Sequence, residues 1–290
     1  MMYRYLFYLT TALLFLQPPT QSYAQNQEDV QYAVMSFNIR YENDYDGENS
    51  WSNRRKLVVS LIQQNRPDIA GLQEVKAGPL QFLDSLLIDY DYVGVGRNDG
   101  KFDGEFSPIF YLKEFFTVLE SGTFWLSETP EKPSVGWDAG LPRIVTWAKM
   151  MDKRTDKAFL VMNTHMDNRG KKSKIESVRL IHERAKLLGE NIPVILTGDF
   201  NMVSFSDAYS FLTSEENVPR FYDSRLIAKT VNSETNYTMN GFRIFPFFRF
   251  IIDYVFVSEG ITVEYFEIIG DKPLGRYISD HYPVFVRLKI

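Results

Sequence analysis

This chain predicts a mixed α/β domain, on three observations. From Gln31 onward, short β-rich runs alternate with helix-patterned stretches. A hydrophobic content of 44% over 290 residues is enough to bury a sizeable core. No linker, internal repeat or break in composition divides it, so residues 28–290 read as a single domain.

The elements follow in order. Tyr32 to Ile39 alternates apolar residues and reads as a strand. A helix is expected over Asn53 to Gln64, a strand over Asp68 to Gln73, a helix over Pro79 to Leu87 and a strand over Tyr92 to Val95. The middle is richer in strands: Ser107 to Leu112, Phe115 to Leu119, Val145 to Met151 and Ala158 to Asn163. A helix over Lys174 to Gly189 precedes the buried-type run Val194 to Thr197. Ile251 to Val257, Val263 to Ile269 and Tyr282 to Leu288 supply closing strands.

The first 24 residues stand apart. Arg4 precedes the apolar run Tyr5 to Leu16, and Ser22-Tyr23-Ala24 offers the small residues a signal peptidase reads. Residues 1–24 are therefore expected to be a signal peptide cleaved near Ala24, since the run is shorter than the roughly 20 residues a membrane span needs. The chain has no cysteine, hence no disulfide and no lipid-modified cysteine. Export without disulfides fits a bacterial envelope, so a periplasmic or secreted monomer is expected. Formal charge is −5, from 37 acidic and 32 basic side chains, and losing Arg4 with the leader makes it −6. That balance does not favour a protein held on nucleic-acid backbones, although transient contact stays open.

The polar residues share one position in the pattern. Asn38, Glu74, His165 and Asp199 each close an apolar strand, and Asp253 opens one. Strand ends are where loops converge on a ligand crevice, so sites distant in sequence can meet there. Burying carboxylates, an amide and imidazoles together costs several kcal/mol each unless they are paired or bind a metal.

Six ordered motifs carry a resemblance: Met35-Ser36-Phe37-Asn38, Leu72-Gln73-Glu74, Asn163-Thr164-His165, Thr197-Gly198-Asp199-Phe200-Asn201, Ile252-Asp253-Tyr254 and Ser279-Asp280-His281. Together they resemble the endonuclease/exonuclease/phosphatase superfamily across essentially all of the mature chain. The resemblance implies a four-layer α/β sandwich, two mixed β-sheets face to face with helices outside, and a divalent-metal phosphoesterase site at one end. Mg²⁺ is the expected ion, with Mn²⁺ the second choice, because a hard cation takes oxygen ligands such as Glu74, Asn38 and Asp280.

Attack on a phosphate ester needs an activated water and stabilisation of the charge on the phosphate oxygens. Asp199, Asn201 and His281 suit those roles. The resemblance makes Asp253 the residue that orients His281, and leaves open whether Asp199 or His281 takes the proton from water. It places His165 at the phosphate or leaving group and pairs it with Glu105. It also gives Arg143 to a substrate phosphate, alongside Asn38, Asn201 and His165.

Arg40 stands where abasic-site endonucleases carry an acid, which weakens a two-metal reading. Gly122 to Glu128 resembles a subgroup of exported bacterial members. Arg179 and His182 share a helix face and read as packing or surface residues. Lys171-Lys172-Ser173-Lys174 reads as a solvated basic loop or one that steers an anionic substrate. Phe242 to Phe250 holds five phenylalanines and two arginines. It reads either as a core strand with Pro246 at a bulge or as a lipid-surface contact beside the site. The function expected is an exported hydrolase of small or lipid-linked phosphate esters. The alternatives are a secreted nonspecific nuclease and a catalytically silent binding module.

Overall fold

A computed structural model describes residues 30–290 except 234 and 244–248. Two sheets face each other. One has seven strands, ordered β10 (Thr230–Val231), β12 (Thr262–Ile268), β13 (Val284–Lys289), β1 (Tyr32–Asn38), β2 (Ile69–Gln73), β4 (Ile109–Leu112) and β3 (Tyr90–Val93). The other has six: β5 (Phe116–Trp125), β6 (Ile144–Asp152), β7 (Ala158–His165), β8 (Val194–Asp199), β11 (Asp253–Ser258) and β9 (Phe221–Asp223). Parallel and antiparallel neighbours mix in both, as β1 with β2 and with β13.

The strand period of two sorts the side chains into layers. Tyr32 and Val34 of β1, Ile69 of β2, Val161 of β7, Ile195 of β8 and Val255 of β11 form the core between the sheets. Their neighbours Met35, Phe37 and Leu72 pack instead beneath helices α1 (Trp51–Asn65) and α2 (Ala77–Leu86). On the far side Met162, Leu196 and Phe256 pack with α3 (Lys171–Gly189) and α4 (Asp207–Leu212). Helix, sheet, sheet, helix is the four-layer sandwich expected.

Boundaries differ from the sequence reading where a distant partner decides them. α3 begins at Lys171, three residues early, because the Asp138 carboxylate accepts hydrogen bonds from the backbone N–H of Lys172 (3.2 Å) and Ser173 (2.6 Å). The basic run is thus the first turn of a helix, not a loop. β5 extends to Trp125 through a register shift near Val118 and Glu120. Among the described residues six short elements were not anticipated: α4, β9, β10, α5 (Ser224–Ile227) and the 3-10 helices Asp44–Asn49 and Pro273–Gly275. The expected signal peptide lies outside the described residues, as do positions 244–248 of the phenylalanine segment. Phe242, Arg243, Arg249 and Phe250 are not in a strand, so the core-strand reading finds no support there.

Between the sheets, close to the ends that carry the polar residues, lies a polar layer. The Asn163 amide donates to the carbonyls of Leu72 (2.7 Å) and Pro108 (3.0 Å), and its oxygen accepts from Gln73 Nε2 (2.7 Å) and Thr197 Oγ1 (3.0 Å). Gly71 permits this approach: a Cβ there would sit 2.1 Å from Thr197 Oγ1.

Candidate active site

Strand parity delivers the site. Asn38 shares the face of Val34, His165 that of Val161, Asp199 that of Ile195 and Asp253 that of Val255, so all four turn into the space between the sheets where the apolar core ends. Register then aligns them: Asp199 is paired with His165 on one side and with Asp253 on the other. Glu74 follows β2 at a positive φ of 61°, and Asp280 and His281 sit in the loop before β13. A cavity of about 540 Å³ is lined by Glu74, Glu105, Arg143, His165, Asp199, Asn201, Asp280 and His281, eight of the ten residues singled out from the sequence. Asn38 and Asp253 lie beneath its floor, buried.

A chain of contacts crosses that floor. Asp253 Oδ2 is 2.8 Å from His281 Nδ1. His281 Nε2 faces Asp199 Oδ2 at 3.9 Å, and the same oxygen lies 3.5 Å from His165 Nε2. Asn38 Nδ2 donates to that oxygen at 3.0 Å and to Glu74 Oε1 at 3.1 Å. Asn201 holds the other Asp199 oxygen through its backbone N–H at 3.0 Å, in a turn with φ of 47°.

The environment sets the protons. Burial pushes the Asp199 carboxyl up, helped by the neighbouring Asp253 charge, to about 7. Burial alone would lower His281, yet the carboxylates of Asp253 and Asp199 outweigh it and hold the imidazole well above its ordinary range. His165 moves the opposite way, driven well down by burial and by the guanidinium groups of Arg143 and Arg97. His281 is thus biased toward its charged form and His165 toward its neutral form, on either side of the Asp199 carboxyl.

Four arginines line the cavity: Arg40, Arg97, Arg143 and Arg169. Arg143 is buried at 6% exposure, and its Nε and Nη1 have no hydrogen-bond partner among the described residues; Asp167 is 3.8 Å away. Arg97, unanticipated from sequence, is gripped by both oxygens of Glu105 at 2.8 and 2.9 Å. Glu105 therefore spends its hydrogen bonds on Arg97, and His165 Nδ1, 3.9 Å away, is left without one. The expected Glu105–His165 pair is a juxtaposition, not a bond. Arg40 closes on Asp46 with two hydrogen bonds and stands 3.7 Å from Asp280. His182, as expected, packs between Phe211 and Phe221 and bonds the Pro219 carbonyl at 3.0 Å, away from this cavity.

Two sets of groups could take a cation. Ligand atoms of Asp199, Asp253 and His281 lie within 4.8 Å of one another, but a protonated, bonded imidazole has no lone pair to offer. Glu74 and Asp280 fit better: both open on the cavity, and burial together with the facing charges, Glu74 among those that raise it, lifts the Asp280 carboxyl above its ordinary range. A divalent cation held by these two carboxylates would offset that cost. The Asn38 oxygen already accepts from the Arg40 N–H at 2.9 Å. Asn38, expected as a ligand, bridges two carboxylates with its amide nitrogen, and its oxygen keeps a second lone pair for a cation.

Residues 35–281 match the Endonuclease/Exonuclease/phosphatase family. Among solved structures, the endonuclease/exonuclease/phosphatase from Bacteroides vulgatus is 39% identical, with a TM-score of 0.86 over 90% of this chain and 100% of that one. The mannosyl-6-phosphatase Bt3783 of Bacteroides thetaiotaomicron is also 39% identical, at TM-score 0.83 over 89% and 99% of the two chains. The human Nocturnin catalytic domain shares the fold at 19% identity, TM-score 0.70, over 89% and 94%.

Proposed function

The chain belongs to the endonuclease/exonuclease/phosphatase family, and from that premise we propose that it is an exported, Mg²⁺-dependent phosphatase of small phosphorylated sugars. The observation that carries this reading is Arg143, a buried guanidinium that lines a cavity of about 540 Å³ together with Asp199 and His281 and has two donors with no partner among the described residues. A planar fork with free N–H groups suits a terminal phosphate. The 39% identity to a mannosyl-6-phosphatase supports a sugar ester. The formal charge of −5 weighs against a nucleic-acid polyanion. The leader-like residues 1–24 support export, and a chain without cysteine fits a bacterial envelope.

Glu74 and Asp280 would hold the ion, which supplies Lewis-acid charge to the phosphate and keeps waters close. The chain supplies the rest. Arg143 binds the phosphate oxygens, and neutral His165 adds a ring nitrogen to the same anion. Asp199, fixed by Asn38 and Asn201, takes the proton from the attacking water at Oδ2. His281, kept charged by Asp253, lends a hydrogen bond to the charge that builds on phosphorus-bound oxygen. Asp253 is a positioning residue.

Purified protein with Mg²⁺ is to be assayed on hexose 6-phosphates, a small alkyl phosphate, a phosphodiester, sphingomyelin, RNA and DNA. Sugar monoesters should turn over fastest, and EDTA should abolish the reaction. Preference for a diester or for RNA would overturn the substrate class, and turnover in EDTA would overturn the metal.

A further inference from the structure

The Arg97–Glu105 pair is a wall with a cavity on each side. Behind it lies a second cavity of about 490 Å³, lined by Lys76, Asn98, Phe102, Asp103 and the wall itself. Resting on the phosphatase reading above, we propose that this second cavity is a carbohydrate subsite that receives the sugar of the phosphorylated substrate.

Four observations point there. Phe102 is 72% exposed, yet the loop presenting it is tightly braced: Asp99 Oδ1 accepts from the N–H of Lys101 (2.8 Å) and Asp103 (3.0 Å), and Gly100 and Gly104 take φ of 71° and 87°. An exposed ring carried on a backbone braced in this way offers a stacking face for the C–H side of a pyranose. Around it, Asn98 and Asp103 bond each other at 3.1 Å and offer both donors and acceptors, as sugar hydroxyls require. Arg97 is more than nine-tenths buried, and its Nε has no partner among the described residues. Last, Glu42, Asp103 and Glu105 line this cavity against only Lys76 and Arg97. Three carboxylates to two cations repel a second phosphate but accept hydroxyls, which separates a sugar from a nucleotide chain.

The test compares Phe102→Ala, Phe102→Trp and Asn98→Ala with wild type. Ratios of kcat/KM for hexose 6-phosphate over ethyl phosphate should fall about tenfold for Phe102→Ala and Asn98→Ala, mostly through KM, and be restored by Phe102→Trp. Ratios that do not move would overturn the subsite while leaving the phosphatase standing. If wild type hydrolyses neither ester, the phosphatase reading fails on its own, and saturation-transfer NMR with methyl glucoside, galactoside and mannoside decides the subsite. Sugar signals lost in Phe102→Ala support it; signals absent in wild type, or equal in both, overturn it.

Discussion

His281 and Asp253 come from separate motifs, yet Nδ1 and Oδ2 meet at 2.8 Å with both side chains buried. The carboxylate fixes the ring and its charge, leaving Nε2 turned toward Asp199. Asp253→Asn keeps the shape and removes the charge. We expect kcat to drop about 10²- to 10³-fold, in the range of lost acid–base assistance. The chain's three histidines make the cause readable: in an imidazole NMR titration, His281 should stay protonated through neutral pH in wild type and lose that proton at lower pH in the variant.

Asp199 predicts a pH dependence of two kinds. With its carboxyl near pH 7, kcat/KM should rise tenfold per pH unit below that value and level off above it. Its folded value is raised over the unfolded one, so its contribution to stability is present below about pH 4 and is lost as pH climbs to about 7. Asp199→Asn should therefore be more stable than wild type at pH 8, by about 1–2 kcal/mol, and no more stable near pH 4. Thermal melts in EDTA at both pH values check the sign.

Much of this site is legible in the sequence because β-strands write their geometry as a period of two. Asn38, His165, Asp199 and Asp253 share parity with core residues of their own strands, so reading the strand reads the direction of the side chain. Arg97 and Arg54 are not legible. Arg54 sits on a helix whose pattern suggests a surface charge, yet it is 2% exposed, bonded to the carbonyls of Ile39, Arg40, Asn49 and Ile278, and lowered to about 10 by burial. Its partner Ile278 is 224 residues away. Only the fold makes such a pairing, and no local pattern announces it.

Glu74 is expected to control metal response. Saturating Mg²⁺ at about 100 times its dissociation constant should add about 2.7 kcal/mol to wild-type stability. Glu74→Gln should lose most of that increment and most activity, because one carboxylate of the facing pair is gone. Melting temperatures with Mg²⁺, Mn²⁺ and EDTA measure this without reference to substrate.

Arg143 is expected to show in phosphate affinity. With Nε and Nη1 unpartnered in the free protein, Arg143→Ala removes a charge-assisted contact of about 1.5–3 kcal/mol. Inhibition by inorganic phosphate should weaken by about 10- to 100-fold on that scale. Arg143→Lys should recover little, because a point charge cannot reproduce the fork. A lysine that inhibits and turns over like wild type would show that charge alone suffices.

Asn163 touches no catalytic group and should still govern the site. All its hydrogen-bonding capacity is used between the sheets, tying Leu72 and Gln73 of β2 and Pro108 to Thr197 of β8. Glu74 follows the first of those strands and Asp199 ends the second, so this amide sets the spacing of the proposed cation ligand from the proposed base. Asn163→Ala removes four buried hydrogen bonds at once, and although Pro108 O keeps the Leu72 N–H, Gln73 Nε2 keeps Gly71 O and Thr197 Oγ1 keeps Met162 O, a loss of about 3 kcal/mol is expected. Gly71→Ala attacks the same contact from the other side, since its Cβ would lie 2.1 Å from Thr197 Oγ1 and 2.7 Å from Asn163 Oδ1. Denaturant melts should show both losses, and kcat measured well below the melting point should fall in both variants. Full activity in folded Asn163→Ala would mean that the spacing is set elsewhere, and the polar layer would then be a matter of stability alone.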